Sequence, residues 1–389
     1  MPTNGSVEPL RDFLVPRIKK PVIIDQPVPT SEEVLPKYEE YTQANLRFVP
    51  HKPPFLLTLL RPLLFRFNSN NTQVVFKIRD FFSVIFWGMS DKTTFDYLIG
   101  LESINTLAGI ILRKLRKVKK VIYYVSDYSP SRYPTQWFNS LYLWLDRYCA
   151  MHADYIWDVS KAVQKARLAA GLDSRKSAPV IHVPNGLYPD QIRVNMLSGI
   201  DRYALAYMGT VGKENGPDVA IRTLALVRKK FPKATLHIVG GSRDDFAWLM
   251  PIIKRLHLAH VVFHHGFVPD ASDMATILSR CAIGLAPYRA IPGSTRYYGD
   301  AGKIRAYCAA GLPIVSSTVP PLGYDMAQKG AAIVTLDDPK SFAKAILDIF
   351  SDTSLYKRLR LNAIKAAKEN TWENQFNSAF GEIAHYEAR

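Results

Sequence analysis
The residues of this chain best suited to chemistry are a lysine, a glycine-rich loop and an aspartate. Lys303 follows Gly299-Asp300-Ala301-Gly302. A lysine in the first turn of a helix adds a point charge where exposed amides and the helix dipole already favour an anion such as phosphate. An ordinary helix start with a solvated lysine is spelled the same way. The run Gly209-Thr210-Val211-Gly212-Lys213-Glu214-Asn215-Gly216 has glycines that let backbone approach a diphosphate or a sugar, and Lys213 can add charge there. Any tight strand-to-helix turn resembles it, so the loop alone is a weak signal. Asp127 sits in Ser126-Asp127-Tyr128-Ser129-Pro130, where a carboxylate can take a proton from a hydroxyl; Asp and Pro equally favour a plain turn. Tyr288 and Arg289, just after Pro287, can stack on a nucleobase and meet a phosphate.

Strands must present these groups. Val121 to Val125 (VIYYV), Ala204 to Met208, Thr235 to Val239, Val261 to His264, Ala282 to Ala286 and Leu312 to Val315 are short apolar runs, suited to parallel strands buried on both faces. Most are followed by a glycine or polar loop and a helix, which predicts a doubly wound α/β fold. Such folds bind ligands outside the carboxyl ends of their strands, where Asp127, the Gly209 loop and the Lys303 helix would all lie. Glu102 closes the strand Tyr97 to Gly100. It can bind substrate, orient Asp127, or serve as a helix N-cap.

The stretch from Lys303 to Val315 resembles the nucleotide-sugar site of GT-B glycosyltransferases of the group 1 type. Lys303, Tyr307, Ala310, Gly311, Pro313 and Val315 carry the likeness. The resemblance implies two Rossmann-like domains facing a cleft. These would be residues 1–195, binding acceptor, with 371–389 crossing back, and residues 203–370, binding the donor. It also implies donor contacts from Gly209, Thr210, Lys213 and Lys303, and nucleobase contacts near Phe267 and Val268, which as single residues read equally well as core. The family's ribose-binding glutamate falls at Ala306, and Asp300 is the available substitute. The chain is most similar to the membrane-associated glucuronosyltransferase of xanthan assembly. There a strand ending in Ser-Asp supplies the general base, which implies inverting transfer with Asp127 as base and Ser126 and Glu102 beside the substrate. The expected donor is UDP-linked and the expected acceptor a glycan or lipid-linked saccharide, in polysaccharide assembly. The family's opening strand is not evident before Leu10 to Val15 and Pro21 to Ile24, so the expectation is either a misassigned start or a first sheet that lacks this strand and exposes an edge or apolar face that something must cover.

The formal net charge of +16 calls for acidic partners. Basic residues gather in the first half, at Arg61, Arg66, Arg113, Lys114, Arg116, Lys117, Lys119 and Lys120. Arg61 and Arg66 interrupt the apolar run Pro54 to Phe67, which is too short and too charged to span a bilayer but suits shallow insertion under anionic headgroups. A buried helix with exposed arginines is the other reading of that run. No signal peptide is evident, and the three cysteines suggest no disulfide framework, so the expectation is a cytoplasmic protein peripheral on the inner membrane face. Histidines and cysteines lack zinc spacing and there is no Asp-x-Asp, so neither a metal nor another cofactor beyond the nucleotide-sugar is expected. An epimerase of the same fold and a basic, non-catalytic membrane- or nucleic-acid-binding protein are the alternatives. No nucleic-acid-binding module is recognisable, which excludes nucleic acid from the leading reading.

Overall fold
The computed structural model describes residues 5–28, 34–41, 49–51 and 73–388. It divides into two compact units, Met1–Val183 with Phe376–Arg389, and Pro184–Gln375.

The first unit opens with helix α1 (Val7–Leu14) and strands β1 (Val22–Asp25), β2 (Lys37–Glu40) and β3 (Val49–His51), which form a small antiparallel sheet in that order. The stretch after Pro21 therefore does not extend the main sheet. Helix α2 (Gln73–Ser90) leads into an alternation of β4 (Phe95–Leu101), α3 (Glu102–Lys114), β5 (Val118–Val125), α4 (Gln136–His152), β6 (Tyr155–Asp158), α5 (Lys161–Ala169) and β7 (Val180–His182). The four strands pair in parallel in chain order, so among the described residues β4 has a partner on one side only. VIYYV is buried along its whole length, as a strand covered on both faces must be.

Beneath this sheet lies a buried ionic cluster. Arg167 of α5 reaches Asp146 of α4 at 2.9 Å and Asp158 of β6 at 2.8 Å. Its guanidinium also lies 5.3 Å from the Tyr123 ring and 5.4 Å from the Tyr128 ring. Tyr123 donates its hydroxyl to Asp146 at 2.8 Å. The planar fork of this one arginine serves both carboxylates at once, and it thereby ties together α4, α5, β6 and the residue after Asp127.

The second unit holds β8 (Ala204–Met208), α6 (Pro217–Val227), β9 (Thr235–Val239), the short helices α7 (Arg243–Phe246) and α8 (Met250–Arg255), β10 (Val262–Gly266), α9 (Ala271–Ser279), β11 (Ile283–Ala286), α10 (Gly302–Ala309), β12 (Ile314–Ser317), α11 (Pro321–Gln328), β13 (Ala332–Thr335), α12 (Pro339–Ser351) and α13 (Thr353–Glu369). Six parallel strands run in the order β10-β9-β8-β11-β12-β13. Alternate residues of β8 enter different cores: Leu205 and Tyr207 pack with α6 and α12, Ala204 and Ala206 with α10 and α11. Helices therefore cover both faces, as expected of a doubly wound sheet.

The break between units falls at Val183/Pro184, ahead of the expected boundary near residue 195. The reason lies in what residues 185–195 bind. Asn185 N–H donates to Asp300, Leu187 N–H to Asn370 and Arg193 N–H to Ala309, while Arg360 donates to the Asn195 carbonyl. The return point lies inside helix α14 (Trp372–Glu387), between Gln375 and Phe376, where residue 371 was expected. Its Phe376 and Phe380 pack on Phe13 and Trp157 in the first unit. The run Pro54 to Phe67, with Arg61 and Arg66, lies outside the described residues.

Replacing Arg167 by Met leaves two carboxylates buried without a counter-ion and is expected to lower unfolding free energy by about 3–5 kcal/mol. Denaturant unfolding measures this. Adding Asp146→Asn and Asp158→Asn to the variant should recover part of the loss.

Candidate functional site
In the second unit β8 and β11 are neighbours, so their carboxyl-end loops meet. Tyr307 of α10 ties them together: its hydroxyl donates to the Leu285 carbonyl and accepts from Met208 N–H, both at 2.8 Å. The ring lies flat on Gly284, where an added Cβ would come within 2.3 Å of it. Gly216, with φ +67°, faces the Pro287 carbonyl so closely that any Cβ would collide with it. Arg289 N–H donates to Glu214 O at 2.9 Å, and Arg296 reaches the Glu214 carboxylate at 3.2 Å.

Lys303 stands in the space these loops enclose. It is 5% exposed, and its ammonium, with no hydrogen-bond partner, lies 4.1 Å from the Tyr207 ring centroid and 4.4 Å from that of Tyr288. Burial pushes its pKa well below the usual lysine range, and the positive charge of Arg296 adds to this. Gly209 (φ +115°) is beside it: a Cβ there would be 3.6 Å from Lys303 Cε and 4.0 Å from Nζ. Helix α10 begins one residue earlier without a side-chain cap, and a Cβ at Gly302 would meet open space. An unpaired buried ammonium, an uncapped helix start and a glycine backbone thus converge, a combination that stabilises an anion.

Several expected donor contacts are already engaged inside the protein. Asp300 is gripped by Arg305 at 2.6 Å and accepts the Asn185 amide at 2.8 Å, so its charge is neutralised in the fold and it is no ready substitute for a ribose-binding glutamate. Arg289 turns its guanidinium to Asp218 on α6 rather than toward Lys303. Tyr288 is buried beneath Lys303 and cannot offer a face to a nucleobase. The Thr210 hydroxyl accepts from Asn215 at 2.6 Å and its carbonyl accepts from the Tyr207 hydroxyl at 2.7 Å, although the residue as a whole is exposed on the loop. Lys213 is exposed at the start of a single 3-10 turn. Phe267 is 68% exposed after β10, whereas Val268 packs against the core.

Sequence reasoning missed Tyr207 and Arg296. Both tune Lys303, but a tyrosine inside a strand and an arginine in a loop have no spacing that marks them.

In the first unit, adjacent ends of β4 and β5 bring Glu102, Ser126 and Asp127 together. Ser126 Oγ donates to Glu102 at 3.3 Å, and Arg132 meets Asp127 at 2.9 Å while also donating to the Asp127 carbonyl. Glu102 is the first residue of α3 rather than its cap, and it holds φ +64°, a conformation that a residue with a side chain adopts only under constraint. Burial raises its pKa, and the nearby Arg132 and Lys77 charges partly offset this. Asp127 keeps about half its side chain exposed, while the next residue, Tyr128, is anchored against Arg167. The site thus offers an accessible carboxylate held by a guanidinium, next to a second carboxyl that keeps its proton longer.

Lys303→Met replaces a buried, unpaired charge by a thioether of similar length. It is expected to leave the unfolding midpoint unchanged or higher while removing anion binding, because buried charge is retained here against stability. Thermal unfolding with and without ligand checks both halves.

The glycosyl transferases group 1 family model matches residues 202–352, inside the second unit. The chain is 30% identical over 174 residues to the D-inositol 3-phosphate glycosyltransferase of Jonesia denitrificans, a match covering 44% of this chain and 40% of that protein. It therefore spans about two fifths of that relative's length. Among solved structures, sucrose-phosphate synthase from Thermosynechococcus elongatus superposes with a TM-score of 0.63 at 16% identity, over 82% of this chain and 81% of that one. Anabaena HepE in complex with UDP also gives 0.63, at 17% identity over 85% and 90%. The same protein with UDP-glucose gives 0.57 at 18% over 74% and 79%. At such identities the likeness concerns the fold: α/β, with parallel sheets in both units, as in GT-B glycosyltransferases.

Proposed function
We propose that the chain is a glycosyltransferase that takes a sugar from a UDP-linked donor, with the donor diphosphate held at Lys303. The observation that carries this is the buried ammonium with no hydrogen-bond partner, set beside Gly209 and the open start of α10. A site that stores an uncompensated cation is preorganised for the charge that appears on a departing diphosphate. The family match to residues 202–352 and the UDP and UDP-glucose complexes of HepE support the same choice of ligand. Phe267 is the exposed aromatic available to a nucleobase.

Asp127 serves as general base in this reading. The acceptor hydroxyl attacks the anomeric carbon, its proton passes to Asp127, and the bond from that carbon to the diphosphate oxygen breaks, which inverts the configuration. Arg132 holds the Asp127 carboxylate in place, and Glu102 with Ser126 contacts the acceptor. Lys303 and the α10 dipole meet the leaving charge, so the step calls on no metal.

We further assign the acceptor to a lipid-linked saccharide or glycan at an anionic membrane face, as in polysaccharide assembly by the xanthan-type transferase. No described helix is long and apolar enough to cross a membrane. Support for surface contact comes from α4, where Trp137, Leu141, Trp144 and Met151 recur on one exposed face and Trp137 is 67% exposed. Tryptophans so placed suit the headgroup boundary. An epimerase would use the same donor site but leaves the exposed face of α4 without a role.

Isothermal titration with UDP at about pH 8, where UDP itself is fully ionised, is the test. Burial lowers the pKa of Lys303 in the free protein and a bound diphosphate favours its charged form, so UDP affinity is expected to fall as pH rises through the titration of that ammonium, which the same titration repeated at higher pH measures. Absence of UDP binding, or binding unchanged in Lys303→Met, overturns the donor site. Asp127→Asn is expected to bind UDP normally and lose about 10²–10⁴ in transfer from radiolabelled UDP-hexose into membrane extract; full activity would remove Asp127 from its role.

A further inference from the structure
We infer that the first unit contains a binding site for a single-chain anionic amphiphile, in a cavity alongside β4 that the transfer reading does not use. The cavity measures about 840 Å³. That lies in the range of pockets that enclose whole small ligands, roughly 300–1,000 Å³.

Its walls are hydrocarbon. Leu10 and Leu14 of α1 and Val22 and Ile23 of β1 face Leu98 of β4 across it, with Phe380 of α14 closing one side. Every residue of β4 from Phe95 to Ile99 lines it, along the flank where the strand has no described partner. The pocket opens to solvent, so an apolar guest seated in it removes aliphatic surface from water and gains dispersion contacts with its walls. Because α1 and β1 lie across the space from β4, an added peptide strand would have to displace them. A flexible alkyl chain need not.

The cavity's polar lining selects the headgroup. Arg11, Arg17, Lys19 and Lys20 border it, all with solvent-exposed surface, although Arg11 is also paired to Asp12 at 2.8 Å and Lys20 to Asp91 at 2.9 Å. Asp96 is the one carboxylate among the described lining residues, and it is paired to Lys119 at 2.7 Å. A carboxylate or phosphate head at this basic rim, with its chain running along β4, satisfies both halves of the site.

The test titrates the delipidated full chain with dansyl-undecanoate below its micellar concentration. Saturable fluorescence enhancement, displaced by oleate, is expected. Leu14→Trp, which fills the cavity, should weaken binding at least about tenfold. Lys19→Glu lies on the surface and leaves the fold intact, so it guards against misfolding of the first variant; it should weaken oleate but not oleyl alcohol. The inference is overturned by absence of saturable binding, by binding that neither variant changes, or by adsorption to phosphatidylglycerol vesicles without monomer uptake. Self-association lost in Leu14→Trp, without amphiphile binding, would overturn it in favour of strand pairing between copies.

Discussion
A lysine ammonium enclosed by two tyrosine rings, with no hydrogen-bond partner, sets the terms for the second unit. Removing a charge from water is costly, and ring quadrupoles return only part of that cost. Nothing in the packing of α10 requires a cation at this position, and its neighbours Ile304 and Tyr307 make the apolar contacts. The tyrosines, the close glycines and the uncapped helix are arranged around that charge. Their arrangement makes sense once an anion is placed there.

The first unit solves the opposite problem. Arg167 is as deeply buried as Lys303, yet both of its carboxylates are at hand, and the cluster is closed to ligands. Such a satisfied network rigidifies what it touches. Because Tyr128 is one of the rings against it, Asp127 is displayed at the surface from a fixed base. One unit therefore keeps a buried charge unpaired, while the other uses a buried charge to hold still the residue next to an exposed carboxylate.

Much of this was legible in the chain. The apolar runs gave parallel strands because a strand buried on both faces can hardly be spelled otherwise, and Lys303 stood at a helix start because Gly302 and Gly311 bracket it. What the spelling could not convey was partnership. Asp300, Arg289 and Tyr288 are polar or aromatic residues beside a ligand loop, but their charges and faces are taken by Arg305, Asp218 and Lys303, pairings between residues as far apart as 71 positions. Glu102 read as a substrate ligand, a partner of Asp127 or a cap; that it is the first residue of α3 with a positive φ appears only in three dimensions. The early domain boundary was hidden for the same reason, since the residues after Val183 are committed by hydrogen bonds to distant backbone.

The loops after β8 and β11 are fastened to each other by Gly216 against Pro287, by the Arg289 amide on Glu214 and by Arg296 on the same glutamate. In evolutionary terms they form one module. Sequence drift in either is screened by the other, so a change of ligand preference at this site would have to arise in both together, and a graft of one loop from a related protein would import half of a lock.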